Sequence, residues 1–539
     1  MSRTQILIIA GLAVFTCPAA LRTVAGPEGL SELSVCRRLQ AATVRISSGA
    51  DRSSGVVISS QGHVLTVAHG LHGDTDKVAI IFHDGAATEA VVLLKDSVAD
   101  LAVLKIDVDD NVVRLAIPIA PAHVPTVRDV VLAAGFPGRE RNGLSPVIRL
   151  GELLAVEPHG LRSSCTLTSG DSGGPLVNER GELIGLNRQI GIGTDSNLHV
   201  PIADLLTVAL PVLDLTRIEQ VPVPAADRVH SSESLVPSAA VLATCRSRTV
   251  ELRYNAWDEV PVMLGTLLSE SLVATKLSEL SPNLPVQCKL ATGRGVMASV
   301  IRSDAALDIA ILKLAALQPN VSALTISEPI QDAGSSTCRF QLVFAAHNVS
   351  RAGIVSRDAH DEPALPCRFG AVLTAAIRSK SVIVSDVELG SSAAAANLVS
   401  GEVLQSLNEI EVTSLEQVET ILHQNQPGDW LTIKSFRNPN QHSATVRLQH
   451  DPSVQFERTE FLDGRSGRVS ERRSGFKAVL QHDIPISPKD CGGPLCNAMG
   501  QIIAMNIARR ARESTLAVPI ADVLKLANRV ADTVDADDQ

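Results

Sequence analysis

Ser172 sits in Thr168-Ser169-Gly170-Asp171-Ser172-Gly173-Gly174-Pro175-Leu176, with two glycines directly after the serine. Such a stretch can turn tightly and face its N–H groups toward whatever the hydroxyl attacks, which is what an oxyanion requires. A serine hydroxyl alone is inert and needs a base, itself oriented by a carboxylate. His69 closes the apolar run His63-Val64-Leu65-Thr66-Val67-Ala68-His69, and Asp100 heads Asp100-Leu101-Ala102-Val103-Leu104-Lys105-Ile106. Both runs are strand-like, so rigid elements can hold the imidazole against the acid. The chemistry this set predicts is acyl transfer by a serine nucleophile, which calls for no cofactor and no metal.

The elements that must position these groups follow from the same text. Ser54–Ser59 leads through the turn Gln61-Gly62 into the histidine strand, and Val200-Pro201-Ile202-Ala203-Asp204-Leu205-Leu206 opens an amphipathic helix. The segments T-x-A-H, D-L-A-V-L-K and G-D-S-G-G-P-L, in that order, resemble the trypsin-like serine peptidases, in particular the HtrA/Deg branch. The resemblance covers roughly residues 36–215. It implies a double β-barrel over 26–217, with His69 as general base, Asp100 orienting it, and the N–H groups of Gly170 and Ser172 as the oxyanion hole. It also implies a small or mid-sized primary pocket around Thr166, Asn187, Arg188 and His199, and activity held wholly within 36–215. In trypsin the place of Asp171 binds a processed N-terminal amine; no Ile-Val-Gly-Gly start is present here, which speaks against that switch.

The same text recurs further on. Val518-Pro519-Ile520-Ala521-Asp522-Val523-Leu524 repeats the helix opening, and Asp490-Cys491-Gly492-Gly493-Pro494-Leu495 stands where the serine turn stood. Asp308-Ile309-Ala310-Ile311-Leu312-Lys313 matches the aspartate strand, while Ser278 falls at the place of His69 and Lys489 at that of Gly170. The second copy therefore reads as a degenerate trypsin-like domain over 239–365 and 452–532, with Cys491 a quiet thiol for want of an imidazole. The stretch that interrupts it, 366–451, resembles a PDZ domain of the Deg type. By that resemblance Phe369-Gly370-Ala371-Val372 would receive a peptide carboxylate on backbone N–H groups, with Leu415, Val418 and Leu422 lining the groove. Asn397 departs from the small residue usual in the "AGL" turn, but asparagine tolerates left-handed backbone.

The 539 residues imply several domains. With 45% apolar and only 2% aromatic residues, the cores must be aliphatic. A net charge of −10 leaves no counterion-release term for nucleic acid, which is excluded as a partner. Residues 1–25 read as a signal peptide or an uncleaved N-terminal anchor, so the chain is expected to be exported, periplasmic or extracellular. Of nine cysteines, Cys36 and Cys165 are either a pair or separate buried thiols. Residues 218–238 read as a linker, Arg465–Lys477 as a solvated basic face, and 533–539 as an acidic tail. The predicted fold class is mainly β: two trypsin-like double β-barrel domains plus an α+β PDZ domain. The expected function is that of a serine endopeptidase acting on polypeptides, unfolded proteins or exposed C-termini, as monomer or homo-oligomer. The alternative is a non-catalytic PDZ scaffold that binds peptides in the manner of a chaperone.

Overall fold

The computed structural model describes residues 30–529 except 50, 74, 107–114, 121–123, 139–144, 192, 210–211, 214–236, 256, 283, 319–321, 325–338, 346–351, 377–379 and 451–466. The leader, nearly all of the linker and the acidic tail read from the sequence lie outside the described residues. No helix among the described residues is long and apolar enough to cross a membrane.

Twelve strands follow helix α1 (Leu30–Ala42): β1 (Thr43–Ser48), β2 (Asp51–Val57), β3 (His63–Thr66), β4 (Lys77–Ile81), β5 (Ala87–Asp96), β6 (Leu101–Ile106), β7 (Val130–Gly135), β8 (Val147–Glu157), β9 (Gly160–Ser163), β10 (Pro175–Asn178), β11 (Leu183–Gln189) and β12 (Asn197–Pro201). They close into two barrels ordered β1-β2-β3-β6-β5-β4 and β10-β11-β12-β9-β8-β7, and α2 (Ile202–Ala209) packs back on β11 and β12. Strands such as β7, Val-Val-Leu-Ala-Ala-Gly, are buried on both faces, so a continuous aliphatic run replaces alternation.

After α3 (Ala239–Arg248), whose N-terminus Ser238 caps by accepting the Val241 N–H, the pattern is repeated. β13 (Thr249–Arg253), β14 (Met263–Leu267), β15 (Leu272–Lys276), β16 (Val286–Lys289), β17 (Gly295–Asp304) and β18 (Ile309–Leu314) form the third barrel, ordered β13-β14-β15-β18-β17-β16. β19 (Leu342–Ala345) and β20 (Gly353–His360) begin the fourth. The chain then leaves for a smaller domain of β21 (Cys367–Arg368), β22 (Ala371–Ala376), β23 (Ser381–Val387), α4 (Ser392–Ala395), β24 (Val403–Leu407), β25 (Ile410–Glu411), α5 (Leu415–Gln424), β26 (Trp430–Arg437), β27 (Asn440–Arg447) and β28 (Gln449–His450). It returns as β29 (Val479–His482), β30 (Pro494–Asn497), β31 (Ile502–Ala511), β32 (Ser514–Pro519) and α6 (Ile520–Asn528), closing a barrel ordered β30-β31-β32-β29-β20-β19. Strand for strand this is the order of the second barrel, with the smaller domain inserted where β8 turns directly into β9. The expected fold class is what the structure contains.

The two halves share one aliphatic core: a single buried cluster includes Ile148 and Leu150 of the first and Ile354, Phe344 and Met505 of the second. Strands β8 and β20 meet at this seam. The carboxylate of Asp483 accepts the N–H of Leu150 and of Ile354, each at 2.7 Å, tying one strand to the other. The disulfide joins Cys245 on α3 to Cys496 on β30. Cys36 and Cys165 are not joined to one another; both are buried, Cys36 on α1 and Cys165 against the carbonyls of Val131 and Arg149.

Candidate active site

His69 lies in a single 3-10 turn, Ala68–Gly70, just beyond β3, and Asp100 immediately precedes β6 with a left-handed backbone at φ 55°. β3 and β6 are paired neighbours, so the sheet delivers both side chains to one end of the barrel. Asp100 accepts the backbone N–H of His69 at 3.0 Å and meets its Nδ1 at 2.9 Å. One carboxylate thus fixes the position of the ring and holds the Nδ1 proton, leaving Nε2 basic and turned away from the acid. Burial pushes Asp100 up, but the hydrogen bonds from His69 and the charge of Arg188 outweigh it and hold the carboxyl below its usual range. Arg188 Nε stands 3.3 Å from Asp100 Oδ2.

Ser172 comes from the other barrel of the first unit. Its carbonyl accepts the Ser54 N–H at 2.8 Å, and the following Gly173 N–H donates to Asn187, so the turn is stitched to both barrels. The carbonyl of Ser169 accepts the Gly138 N–H at 2.7 Å. A trans peptide sets C=O and N–H on opposite sides, so the Gly170 N–H faces away from that bond. Gly170 holds φ 95°, and a Cβ there would run into the Phe136 carbonyl and come within 2.7 Å of Gly138 N. Only glycine suits the position. His69, Asp100, Ser169, Gly170, Ser172 and Arg188 together line a cleft of about 520 Å³.

Asp171 is buried beneath this turn. Its Oδ2 takes the Thr168 N–H at 2.8 Å and lies 3.0 Å from Nη2 of Arg149, a fully buried guanidinium on β8. A built-in cation therefore occupies the role that a processed amine plays in trypsin. Burial pushes Asp171 up to about 6, against the pull of Arg149.

Of the four residues expected at the primary pocket, only Arg188 lines the cleft. The expectation is corrected for the other three, which are all at most 1% exposed and spend their polar atoms inward. Asn187 donates to the carbonyls of Ala134 and Asp171, and its Oδ1 meets His199 Nδ1 at 3.0 Å. Nε2 of His199 reaches Ser163 at 2.7 Å, and burial pushes this imidazole down to about 3, so it stays neutral. Thr166 bonds the Thr194 carbonyl. These three support the serine turn from below. Arg149 was invisible in the sequence, where nothing marks its partner.

The second unit repeats the geometry with Ser278 in the place of the histidine and Cys491 in that of the serine. Asp308 holds φ 58° and accepts the Ser278 N–H at 2.7 Å and its hydroxyl at 2.8 Å, the same two bonds Asp100 makes to His69. Burial pushes Asp308 up despite Lys276 and Arg472 nearby. Around Cys491 the backbone forms the 3-10 turn Pro488–Asp490, and the Cys491 N–H donates to Pro488, which consumes one would-be oxyanion donor. Ser470 covers the thiol at 3.6 Å, and burial pushes Cys491 up to about 11. The basic run is only partly solvated as expected: Arg472 is 4% exposed, with its guanidinium between Asp308 and Asp429. The smaller domain thereby sits over the degenerate site, where Arg447 also donates to the Ser278 carbonyl at 2.9 Å.

In the inserted domain, among the described residues, β22 pairs only with β23, and its other edge lies beside α5. Gly370 holds φ 75° at the head of that strand, and Ala371 and Val372 follow on it, Val372 58% exposed. One groove assignment is corrected: Val418 is a core residue at 2% exposure, while Leu415 and Leu422 are partly buried at its margin; the Phe369 side chain is also in the core, which leaves the expected role of its backbone N–H untouched. Asn397 takes φ 55° after α4, and the bonds from Asn397 N to Ala394 and from Leu398 N to Ala393 make a Schellman ending.

Residues 53–186 match the model of the trypsin-like peptidase domain, and residues 353–448 that of the PDZ domain. The first unit, with its two barrels and cleft, is thus a trypsin-like peptidase domain. Over 139 residues the chain is 35% identical to serine endoprotease DegS of Escherichia coli K12, covering 25% of this chain and 38% of that protein. It is 32% identical to the putative serine protease HhoA of Synechocystis over 156 residues, covering 37% of it. A probable periplasmic serine endoprotease, DegP-like, of Chlamydia pneumoniae is 25% identical over 395 residues, 70% of this chain and 72% of that one. The chain thus joins a trypsin-like peptidase domain to a PDZ domain and is similar over the matched stretches to these Deg proteins, spanning well under half the length of DegS and HhoA.

Proposed function

We propose that the chain is an exported serine endopeptidase in which Ser172 Oγ attacks the scissile carbonyl. His69 Nε2 takes the hydroxyl proton and returns it to the leaving amine, Asp100 stabilises the imidazolium, and the N–H groups of Gly170 and Ser172 hold the oxyanion. The observation that carries this reading is the convergence of His69, Asp100, Gly170 and Ser172 on one cleft, with the imidazole already bonded to its carboxylate. The second unit is catalytically silent, as Ser278 offers no base, and it serves to carry the PDZ domain. The PDZ domain binds peptide C-termini by adding a strand to the open edge of β22, with the carboxylate at the loop 369–371. Relatives named as periplasmic endoproteases and the disulfide Cys245–Cys496 both favour an oxidising compartment outside the cytoplasm.

A fluorophosphonate probe tests the central claim. The wild-type chain should be labelled at Ser172 and should cleave an unfolded substrate such as casein. Ser172→Ala should lose both. Casein cleavage that survives Ser172→Ala at the wild-type rate would refute the assignment.

A further inference from the structure

The hairpin that joins β31 to β32 turns on two residues, Arg512 and Glu513, with Ala511 facing Ser514 across it. Its counterpart in the first unit joins β11 to β12 and runs from Gln189 to Asn197, forming one wall beside the cleft. The two counterparts meet. Arg512 is 0% exposed, and its guanidinium leaves its own barrel to serve the other unit. Nη1 donates to the carbonyl of Gly191 at 3.0 Å, and Nη2 to the carbonyl of Gly193 at 2.9 Å and to Asn197 Oδ1 at 3.3 Å.

Asn197 Oδ1 is also the acceptor for the Leu167 N–H at 3.2 Å, and Asn197 Nδ2 donates to Thr194. Leu167 lies in the irregular stretch between β9 and the oxyanion turn. The planar fork of Arg512 therefore clamps the segment whose Arg188, Gln189 and Ile190 line the cleft, and Asn197 of that segment in turn accepts from Leu167, just before Ser169 and Gly170. A buried guanidinium is costly to desolvate and stays only where its donors are well used, as they are here. Glu513 follows it into the same seam, 1% exposed and close enough to Asp171 to act on that carboxyl by its charge.

We infer that Arg512, supplied by the catalytically silent half, is a positioning residue for the active cleft: it holds in place the wall that begins at Arg188, Gln189 and Ile190, against which the substrate's side chain lies. This rests on the proposed peptidase reading, and it amends the expectation that activity resides wholly within residues 36–215. The half that lost its base would then be a required part of the enzyme, completing the cleft across the pseudo-twofold seam.

The test uses the full chain and two measurements. The rate of fluorophosphonate labelling reads the nucleophile, base and oxyanion hole; kcat/KM on a fluorogenic peptide reads these plus the walls. Arg512→Ala should lower peptide kcat/KM on the order of ten- to a hundredfold, as small misplacements of substrate do. Its labelling rate should stay within about twofold of wild type, a separation that general loss of folded protein would not give. Arg512→Lys keeps the charge but not the fork, and should lose kcat/KM to an intermediate extent. If Arg512→Ala does not fold, Arg512→Lys carries the test, with the melting curve as control. Peptide kcat/KM within twofold of wild type in the folded variant, or a parallel fall of labelling and cleavage, would overturn the inference. If wild type itself is not labelled at Ser172, the peptidase reading fails first and this inference with it.

Discussion

Gly170→Ala is the smallest change that separates oxyanion stabilisation from the rest of the machinery. The added methyl would run into the Phe136 carbonyl and approach Gly138 N to 2.7 Å, and the backbone must leave φ 95° or bear the strain. Holding a non-glycine residue in such a region costs about 1–3 kcal/mol. The easier escape is rotation of the 169–170 peptide, which breaks the bond from Gly138 N to Ser169 O and turns the Gly170 N–H out of the cleft. Losing one oxyanion donor costs roughly 10²–10³ in kcat, equivalent to about 2.7–4 kcal/mol. KM should change little, because the donor acts on charge that develops only in the transition state. Steady-state kinetics on a fluorogenic peptide reads the effect, and Gly160→Ala, where a Cβ meets nothing within 4 Å, is the matched control. A Gly170→Ala enzyme with kcat within threefold of wild type would refute the assignment of this N–H to the oxyanion.

Asp100→Asn should keep the packing but favour the wrong imidazole tautomer, lowering kcat on the order of 10⁴-fold; a loss below tenfold would remove Asp100 from the mechanism. Cys491, pushed up to about 11 from a usual 9, should carry about a hundredfold less thiolate at pH 8 than an ordinary cysteine. Iodoacetamide followed by mass spectrometry should therefore find it nearly unmodified in the native chain, and alkylation as fast as in urea would contradict the buried site. Acid should destabilise the fold through His199 and His482, held near 3 and 4 by burial. Below pH 6.5 the unfolded chain takes up these protons and the folded chain does not, so the two together remove roughly 2.7 kcal/mol per pH unit. Asp171 opposes them: with a folded value of about 6 against 3.8 unfolded, it returns about 1.4 kcal/mol per unit between pH 6 and 4. Urea titrations at pH 7, 6 and 5 should show the net fall, and His482→Asn should flatten it by about one proton's worth; an unchanged slope in that variant would reject the assignment.

The meeting of His69, Asp100 and Ser172 at one cleft was legible because each sits in a short segment whose composition states its local geometry: a histidine at a strand end, an acid at a strand start, a serine before paired glycines. The pocket was not, because side chains alternate along a strand and parity is set by pairing partners far away in sequence. Asn187 and Arg188 are neighbours in the text, yet Asn187 pairs with His199 on the inner face while Arg188 emerges into the cleft. Val418 shows the helical version of the same limit: an apolar stripe marks a buried face without saying how much of it is core and how much is groove. Arg149 and Arg512 carried no signal at all, since a buried cation is recognised by the acceptors around it, and these come from other strands. The second unit keeps a buried His–Asn bond, but there the imidazole is His482 on β29, whereas His199 belongs to β12. The polar link has been retained while the strand that supplies it has changed.

The place of the PDZ domain follows from the hairpin it interrupts. In the first unit β8 and β9 are joined by a tight turn between Glu157 and Gly160. In the second, β20 and β29 still pair although a whole domain lies between them. Closing a loop costs free energy only as the logarithm of its length, and the inserted domain brings its own ends together, with Cys367 opposite His450. The barrel therefore loses little by the insertion. What it gains is a domain held against the Ser278–Asp308 site, where Arg472 joins Asp429 of the PDZ domain to Asp308 of the barrel. Two residues earlier, Ser470 donates its N–H to Arg509 on β31, and that strand ends in the hairpin bearing Arg512. An unbroken path of bonded groups thus runs from the PDZ domain through the silent site to the wall of the active cleft. Contiguity alone does not transmit a signal; that needs an element with two arrangements of similar energy. The buried guanidinium of Arg512, bonded to three acceptors of the first unit, argues instead for a single arrangement, so on the inference above the second half acts first as a brace that keeps the cleft assembled.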